Sequence, residues 1–206
     1  GCEDATDCMT LTINSLPDVT CPEDFDVCVD GDVIILAELG ATPPGGTFYD
    51  LGGNVMTQFD PATGVGDYTF VYEVVDANGC VNSCDFVITV NPLPEVTIEA
   101  YEPVCVASGM FELYGGLPEG GTYYVDGEEA TMFDPVEAGT FVIEYCYTDE
   151  NGCSACAETE LIVNPLPEVF CPEDMVVCED AAAFELLGAT PEGGEYTGEG
   201  VVDGMF

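Results

Sequence analysis

The 206-residue chain contains no lysine, no arginine and no histidine. Each absence removes a class of chemistry. Without Lys or Arg, no side chain can neutralise a phosphate, which excludes nucleic acid as a partner. Anionic membrane surfaces would repel the chain. Without His, no side chain has an ordinary pKa suited to acid–base work near neutral pH. Without Lys, neither a Schiff base nor a Lys–Asn isopeptide cross-link can form. No run reads as a signal peptide or a membrane-spanning helix, so direct membrane insertion is not expected and export would need a signal outside these residues.

What is present is acid, apolar surface and cysteine. There are 41 Asp and Glu residues and a formal net charge of −41. Such a charge often accompanies disorder. Here 47% of residues are hydrophobic, with 10 Tyr and 11 Phe, which is enough to bury a core. Twelve cysteines among many Gly and Pro residues point to disulfides and an oxidising, extracellular setting.

The chain repeats itself. VNPLPEV occupies 90–96 and recurs at 163–169, with a weaker copy, NSLPDV, at 14–19. Counting from Leu-Pro, one unit covers 16–92 and a second covers 93–165. A third begins at 166 and runs to 206, and residues 1–15 form the tail of a preceding unit. The landmarks keep one order: ATPPGGTFY, GLPEGGTYY and ATPEGGEY, then an FDP motif, then an aromatic alternation ending in Asn-Gly-Cys. Gly1-Cys2 matches the last of these and Phe206 matches Phe59 and Phe133, so both ends fall inside a repeat and the chain reads as a segment of a longer polypeptide.

The local pattern is β. Phe141, Ile143, Tyr145 and Tyr147 alternate with Val142, Glu144, Cys146 and Thr148, and Tyr68, Phe70, Tyr72 and Val74 occupy the matching places in the first unit. Within that unit the expected strands are 17–29, 32–39, 46–51, a short edge strand near 54–60, 67–76 and 84–91. Asn78-Gly79 and Asn151-Gly152 are expected to make tight hairpin turns with both residues at positive φ. Short strands with turns every 8–12 residues predict an all-β fold with one small β-sandwich in each unit. Asn91-Pro92-Leu93-Pro94 and Asn164-Pro165-Leu166-Pro167 are the interdomain linkers. Their prolines favour an extended, semi-rigid joint that sets the sandwiches in a linear rod, with the leucine tucked into the junction.

The combination of a pre-strand cysteine, P-x-G-G-x-Y, FDP, the aromatic alternation, Asn-Gly-Cys and a closing VNPLP resembles the tandem immunoglobulin-like or PKD-like repeats of giant Bacteroidota surface proteins. That group includes gliding-motility adhesins and other cargo of the type IX secretion system. The resemblance implies cell-surface display and a structural, adhesive or filamentous role. The partners it implies are neighbouring repeats of the same chain and a surface or glycan ligand that it does not specify.

The resemblance also favours a bridge between the pre-strand cysteine and the Asn-Gly-Cys cysteine of one repeat, hence Cys28–Cys80 and Cys105–Cys153. The remaining cysteines then pair as Cys21–Cys84 and Cys146–Cys156, the latter across a hairpin. Cys2, Cys8, Cys171 and Cys178 would find partners outside this window. Purely local pairing, Cys21–Cys28 and Cys80–Cys84, is the competing scheme, since sequence alone does not decide connectivity. Cys153-Ser-Ala-Cys156 has redox or zinc spacing, but it has no histidine, helix or second such pair beside it, and reads as structural.

No catalytic residue is expected. The carboxylates read mainly as a solvated acidic face. Ca²⁺ is the one candidate cation. Asp76 and Asp149 precede the Asn-Gly turns, and Asp30 and Asp32 flank Gly31, giving oxygen-rich turns without EF-hand spacing. The expected function is a stalk segment of a large secreted adhesin. The alternative is that the repeats themselves bind glycan, Ca²⁺ or protein.

Overall fold

A computed structural model describes residues 9–206; Cys2, Cys8 and the first residues of the tail assigned to a preceding repeat lie outside them. The chain divides into two compact units. Among the described residues, one comprises 9–98, 115–123 and 144–158, and the other 99–114, 124–143 and 159–206. Secondary structure among the described residues is β apart from two three-residue 3₁₀ turns, Leu36–Glu38 and Pro61–Thr63.

The first repeat contributes β1 (Phe25–Cys28), β2 (Ile34–Ile35), β3 (Thr47–Asp50), β4 (Val55–Met56), β5 (Gln58–Phe59), β6 (Gly66–Val75) and β7 (Val81–Asn91). Five of them form one sheet in the order β1-β7-β6-β3-β4, while β2 pairs with β5 separately. The long pair β6–β7 is antiparallel from Gly66↔Val90 to Val75↔Val81. Alternation decides its faces. Phe70, Tyr72 and Val74 on β6 and Phe86, Ile88 and Val90 on β7 are buried, and they close over Leu36, Phe48 and Phe59 as one core. At about 1.5–3 kcal/mol for each large apolar side chain, this burial is the main stabilising term.

β1 runs parallel to β7, with Phe25 opposite Ile88 and Cys28 opposite Asn91. An edge strand parallel to the last strand, a hairpin beside it and a separate β2–β5 pair make an immunoglobulin-like topology. The start of β6 adds a tyrosine corner, in which the Tyr68 hydroxyl donates to the Gly64 carbonyl at 3.0 Å.

The second repeat contributes β8 (Thr97–Ile98), β9 (Val104–Cys105), β10 (Phe111–Glu112), β11 (Gly116–Leu117), β12 (Thr122–Val125), β13 (Glu128–Glu129), β14 (Met132–Phe133), β15 (Gly139–Thr148) and β16 (Ser154–Asn164). Their order, β13-β12-β15-β16-β9 with β10-β14 apart, repeats the first pattern. Ile143, Tyr145, Leu161 and Val163 are buried at the places of Phe70, Tyr72, Ile88 and Val90. A short contact also recurs three times: Thr20↔Thr42, β8 with β11, and Phe170↔Thr190.

Two expected strands are shorter than the sequence suggests. Strand 17–29 survives as the bridge at Thr20 and as β1. Between them Pro22 has no N–H to give a ladder, and the Asp24 carboxylate accepts from the Val87 amide at 2.7 Å. Strand 32–39 becomes β2 followed by a 3₁₀ turn, which swings Leu36 fully into the core.

Candidate functional site

The P-x-G-G motif is built around a strand tyrosine. In the first repeat the Tyr72 hydroxyl donates to the Pro43 carbonyl at 2.6 Å and accepts from the Gly46 amide at 2.8 Å. Tyr145 bonds the Pro118 carbonyl and the Gly121 amide in the same way. Gly46 is required by space. A Cβ there would lie 2.5 Å from Tyr72 Cζ and 2.6 Å from the Glu73 carbonyl oxygen. The motif thus ties the turn before β3 to the centre of β6, and it recurs because the clamp recurs.

The Asn-Gly-Cys turns are five-residue loops rather than tight two-residue hairpins. Asp76 N–H donates to the Cys80 carbonyl and Gly79 N–H to the Asp76 carbonyl, both at 3.0 Å. Only the glycines carry positive φ, 84° at Gly79 and 83° at Gly152; Asn78 and Asn151 do not. The reason is the preceding aspartate. Asp76 Oδ1 accepts from the amides of Asn78 and Cys80, each at 2.8 Å, and Asp149 Oδ1 accepts from Asn151 and Cys153, each at 2.9 Å. This Asx geometry fixes a longer turn than Asn-Gly alone would. The Cys80 amide, followed by other amides of the turn, holds the Asp76 carboxyl below its ordinary pKa. Asp50 is lowered likewise, chiefly by the Asn54 side-chain amide.

These bonds bear on the four calcium candidates. One oxygen each of Asp76 and Asp149 is already engaged by two backbone amides. Asp30 and Asp32 are solvent-exposed, on a turn closed by the Gly31 amide donating to the Cys28 carbonyl at 2.9 Å. Glu144, Cys146 and Cys156 also approach one another, but both sulfurs are used in a disulfide and cannot serve as thiolate ligands.

Three disulfides form among the described residues. Cys21 is bonded to Cys84 and Cys146 to Cys156. The third differs from the expected scheme: Cys28 is bonded to Cys153, with Cα atoms 5.5 Å apart, and Cys80 and Cys105 are free. Neither Cys28–Cys80 nor Cys105–Cys153 exists, and strand direction explains why. Cys28 lies opposite Asn91 at the end of β7, whereas Cys80 precedes its start. Eleven residues of strand at about 3.3 Å each separate those stations by about 35 Å, far beyond the roughly 7 Å Cα separation that a bridge tolerates. Cys105 lies opposite Asn164 at the end of β16, equally far from Cys153 at its start. The local pairs Cys21–Cys28 and Cys80–Cys84 are absent too, and Cys171 and Cys178 are exposed free thiols. The Cys28–Cys153 bridge joins the pre-strand cysteine of the first repeat to the Asn-Gly-Cys turn of the second. Both ends lie in the first compact unit.

In the linkers, Asn91 keeps a buried side-chain nitrogen without a hydrogen-bond partner. Pro92, Pro165 and Pro167 are exposed and Pro94 is half-buried. The two leucines differ in exposure. Leu93 is 36% exposed and Leu166 59%, since the chain there runs outside any sheet. A separate hollow of about 540 Å³ is lined by Phe59, Tyr68, Phe70, Asp50, Asp60 and Asp67 among others, joining aromatic faces to carboxylates.

No protein-family profile matches the chain. No curated protein matches it either. Among solved structures it is similar to the fibronectin(III)-like modules of CbhA from Clostridium thermocellum, at 16% identity over 72% of this chain and 95% of that one, with a TM-score of 0.36. It is also similar to the N-terminal Ig1-2 module of the Drosophila receptor protein tyrosine phosphatase DLAR, at 12% identity over 73% of this chain and all of that one, with a TM-score of 0.30. The immunoglobulin-like assignment rests on the strand order and the tyrosine corner. Three disulfides suit an oxidising, extracellular setting. Among the described residues no helix is long and apolar enough to cross a membrane.

Proposed function

We propose that this chain is a spacer: a run of immunoglobulin-like repeats, 16–92, 93–165 and the start of another at 166, in the stalk of a secreted, surface-displayed adhesin. The observation that carries this is the recurrence of one sandwich, with its clamp, its capped turn and its Pro-Leu-Pro exit, in consecutive stretches of chain. The Bacteroidota setting, gliding motility and type IX export come from the resemblance of the motifs alone. Repetition suits a spacer better than a reader of ligands, because the turn tips differ by one residue, Asp-Ala-Asn-Gly against Asp-Glu-Asn-Gly. A chain carrying 41 acids and no base repels its neighbours, which keeps stalks apart and opposes collapse.

The test combines shape and binding. Small-angle scattering or electron micrographs of the chain should show an extended particle with a narrow range of angles between repeats. Because the Cys28–Cys153 bridge also joins these two repeats, the linker is tested in the reduced chain, where replacing Pro92 and Pro94 by glycine should broaden that range. An unchanged distribution would remove the stiffened joint. Strong binding of the purified chain on a glycan array, abolished by Tyr68→Ala in the aromatic hollow, would replace the spacer by the binding-module alternative.

A further inference from the structure

The Cys28–Cys153 bridge is not a closed local staple, because its two ends belong to two different repeats. Each end has a structural copy elsewhere in the chain, and those copies are unbonded. Cys105 copies Cys28. Each is the last residue of a short strand parallel to the final strand of its repeat, opposite Asn91 or Asn164. The following amide donates to that asparagine's carbonyl at 2.9 Å in both, Val29 to Asn91 and Val106 to Asn164. A turn then closes on the cysteine's own carbonyl, from Gly31 at 2.9 Å and from Ser108 at 3.1 Å. Cys178 starts a third such turn, with Ala181 donating at 3.0 Å. At the other end, Cys80 copies Cys153, presented by the same aspartate-capped five-residue loop.

We infer that Cys28–Cys153 is one rung of a series joining each repeat to the next, and that Cys105 and Cys80 are the open halves of further rungs. Cys105 takes the Asn-Gly-Cys cysteine of a following repeat of this type. Cys80 takes the pre-strand cysteine of a preceding one. The partner is chemically defined: a thiol at the tip of an Asp-x-Asn-Gly-Cys hairpin, or at the end of a strand bound parallel to a repeat's last strand. Cys105 is exposed, which suits capture by such a hairpin. With oxidised glutathione as oxidant the step balances. The Cys105 thiolate attacks one glutathione sulfur and releases one reduced glutathione. The partner thiolate then attacks the Cys105 sulfur of the mixed disulfide and releases the second. Two protein thiols and one glutathione disulfide become one protein disulfide and two glutathione thiols. The inference holds whether or not the repeats act as a spacer.

Two experiments test it. In the 206-residue chain, refolded with oxidised and reduced glutathione and cut with an acid-specific protease, Cys28 should be recovered joined to Cys153. Cys80 and Cys105 should be recovered without a bond to Cys28 or Cys153. A Cys28–Cys80 or Cys105–Cys153 peptide overturns the inference. In the second experiment the chain is extended after Phe206 by a copy of residues 60–92, which completes the third repeat, and Cys80 itself carries Cys80→Ser so that the appended copy is the one Asn-Gly-Cys cysteine of its mass. The appended cysteine should be recovered bonded to Cys105, and Cys105→Ser should leave it a free thiol. Its recovery bonded to Cys178, which would be pairing within one repeat, or as a free thiol beside a free Cys105, overturns the inference.

Discussion

Removing the Cys28–Cys153 bridge should take away a large share of the stability of the first compact unit. The perturbation is Cys28→Ala with Cys153→Ala, which leaves neither an orphan thiol nor a buried hydroxyl. The bridge spans a sequence separation of 125. On the chain-entropy account, a loop of that length withholds about 5 kcal/mol from the unfolded state. An ordinary domain has about 5–15 kcal/mol in total, so the loss is a large fraction of stability. With a urea slope towards the upper end of about 1–3 kcal/mol/M, the midpoint should fall by about 2 M. The assay is urea unfolding followed by tyrosine fluorescence, with and without reductant. Parent and variant should differ widely when oxidised. They should nearly coincide when reduced, because the same constraint has then gone from both. A change below about 1 kcal/mol in the oxidised state would refute the reasoning, as would parent and variant that still differ widely once both are reduced.

Other perturbations have smaller, distinct signatures. Tyr145→Phe removes a hydroxyl that serves both the Pro118 carbonyl and the Gly121 amide, and should cost about 1–3 kcal/mol in thermal or urea melts. Gly46→Ala drives a methyl group into Tyr72 and the Glu73 carbonyl, and should cost more than about 1 kcal/mol. Because every charge is negative, the reduced chain should melt at a lower temperature as salt is withdrawn; a melting temperature that ignores salt would contradict this. Asp50 and Asp76 titrate below their ordinary value when folded. Their contribution is therefore complete above the unfolded carboxylate pKa and is lost as pH falls through the lower folded value. The destabilisation caused by Asp76→Ala should thus be largest near neutral pH and shrink in acid, read as the gap between parent and variant midpoints.

Much of the fold was legible because period-two alternation survives on the long hairpin. Phe70, Tyr72 and Val74, and their partners on β7, announce a buried face without further help. The short strands were less legible. Ile34 and Ile35 look like the start of a long strand, but Leu36 is buried by a 3₁₀ turn. The Asn-Gly turns misled because two residues before the asparagine an aspartate binds two amides, an effect that depends on loop closure and not on the dipeptide. The cysteines were hardest. In a repeating sequence the same pair of motifs is compatible with bonding inside a repeat or to the next one, and only strand direction separates the two. β1 runs parallel to β7, and that places Cys28 at the wrong end of its own hairpin. No residue pattern encodes that direction strongly, since strand 17–29 read as a single continuous run.

The Cys28–Cys153 bond also changes what happens when the chain is pulled from its ends. Tension entering at the N-terminal side crosses from Cys28 directly to Cys153, so residues 29–152 carry none of it. At about 3.5 Å per residue, roughly 430 Å of contour is withheld from extension by one covalent link. A single-molecule force trace of the oxidised chain should lack that length, and the trace after reduction should recover it. If further rungs follow the same rule, the loops overlap, because Cys105 lies inside the first loop. An overlapping series would turn a string of sandwiches into a tether whose reach is set by sulfur bonds and whose give is controlled by the surrounding redox potential.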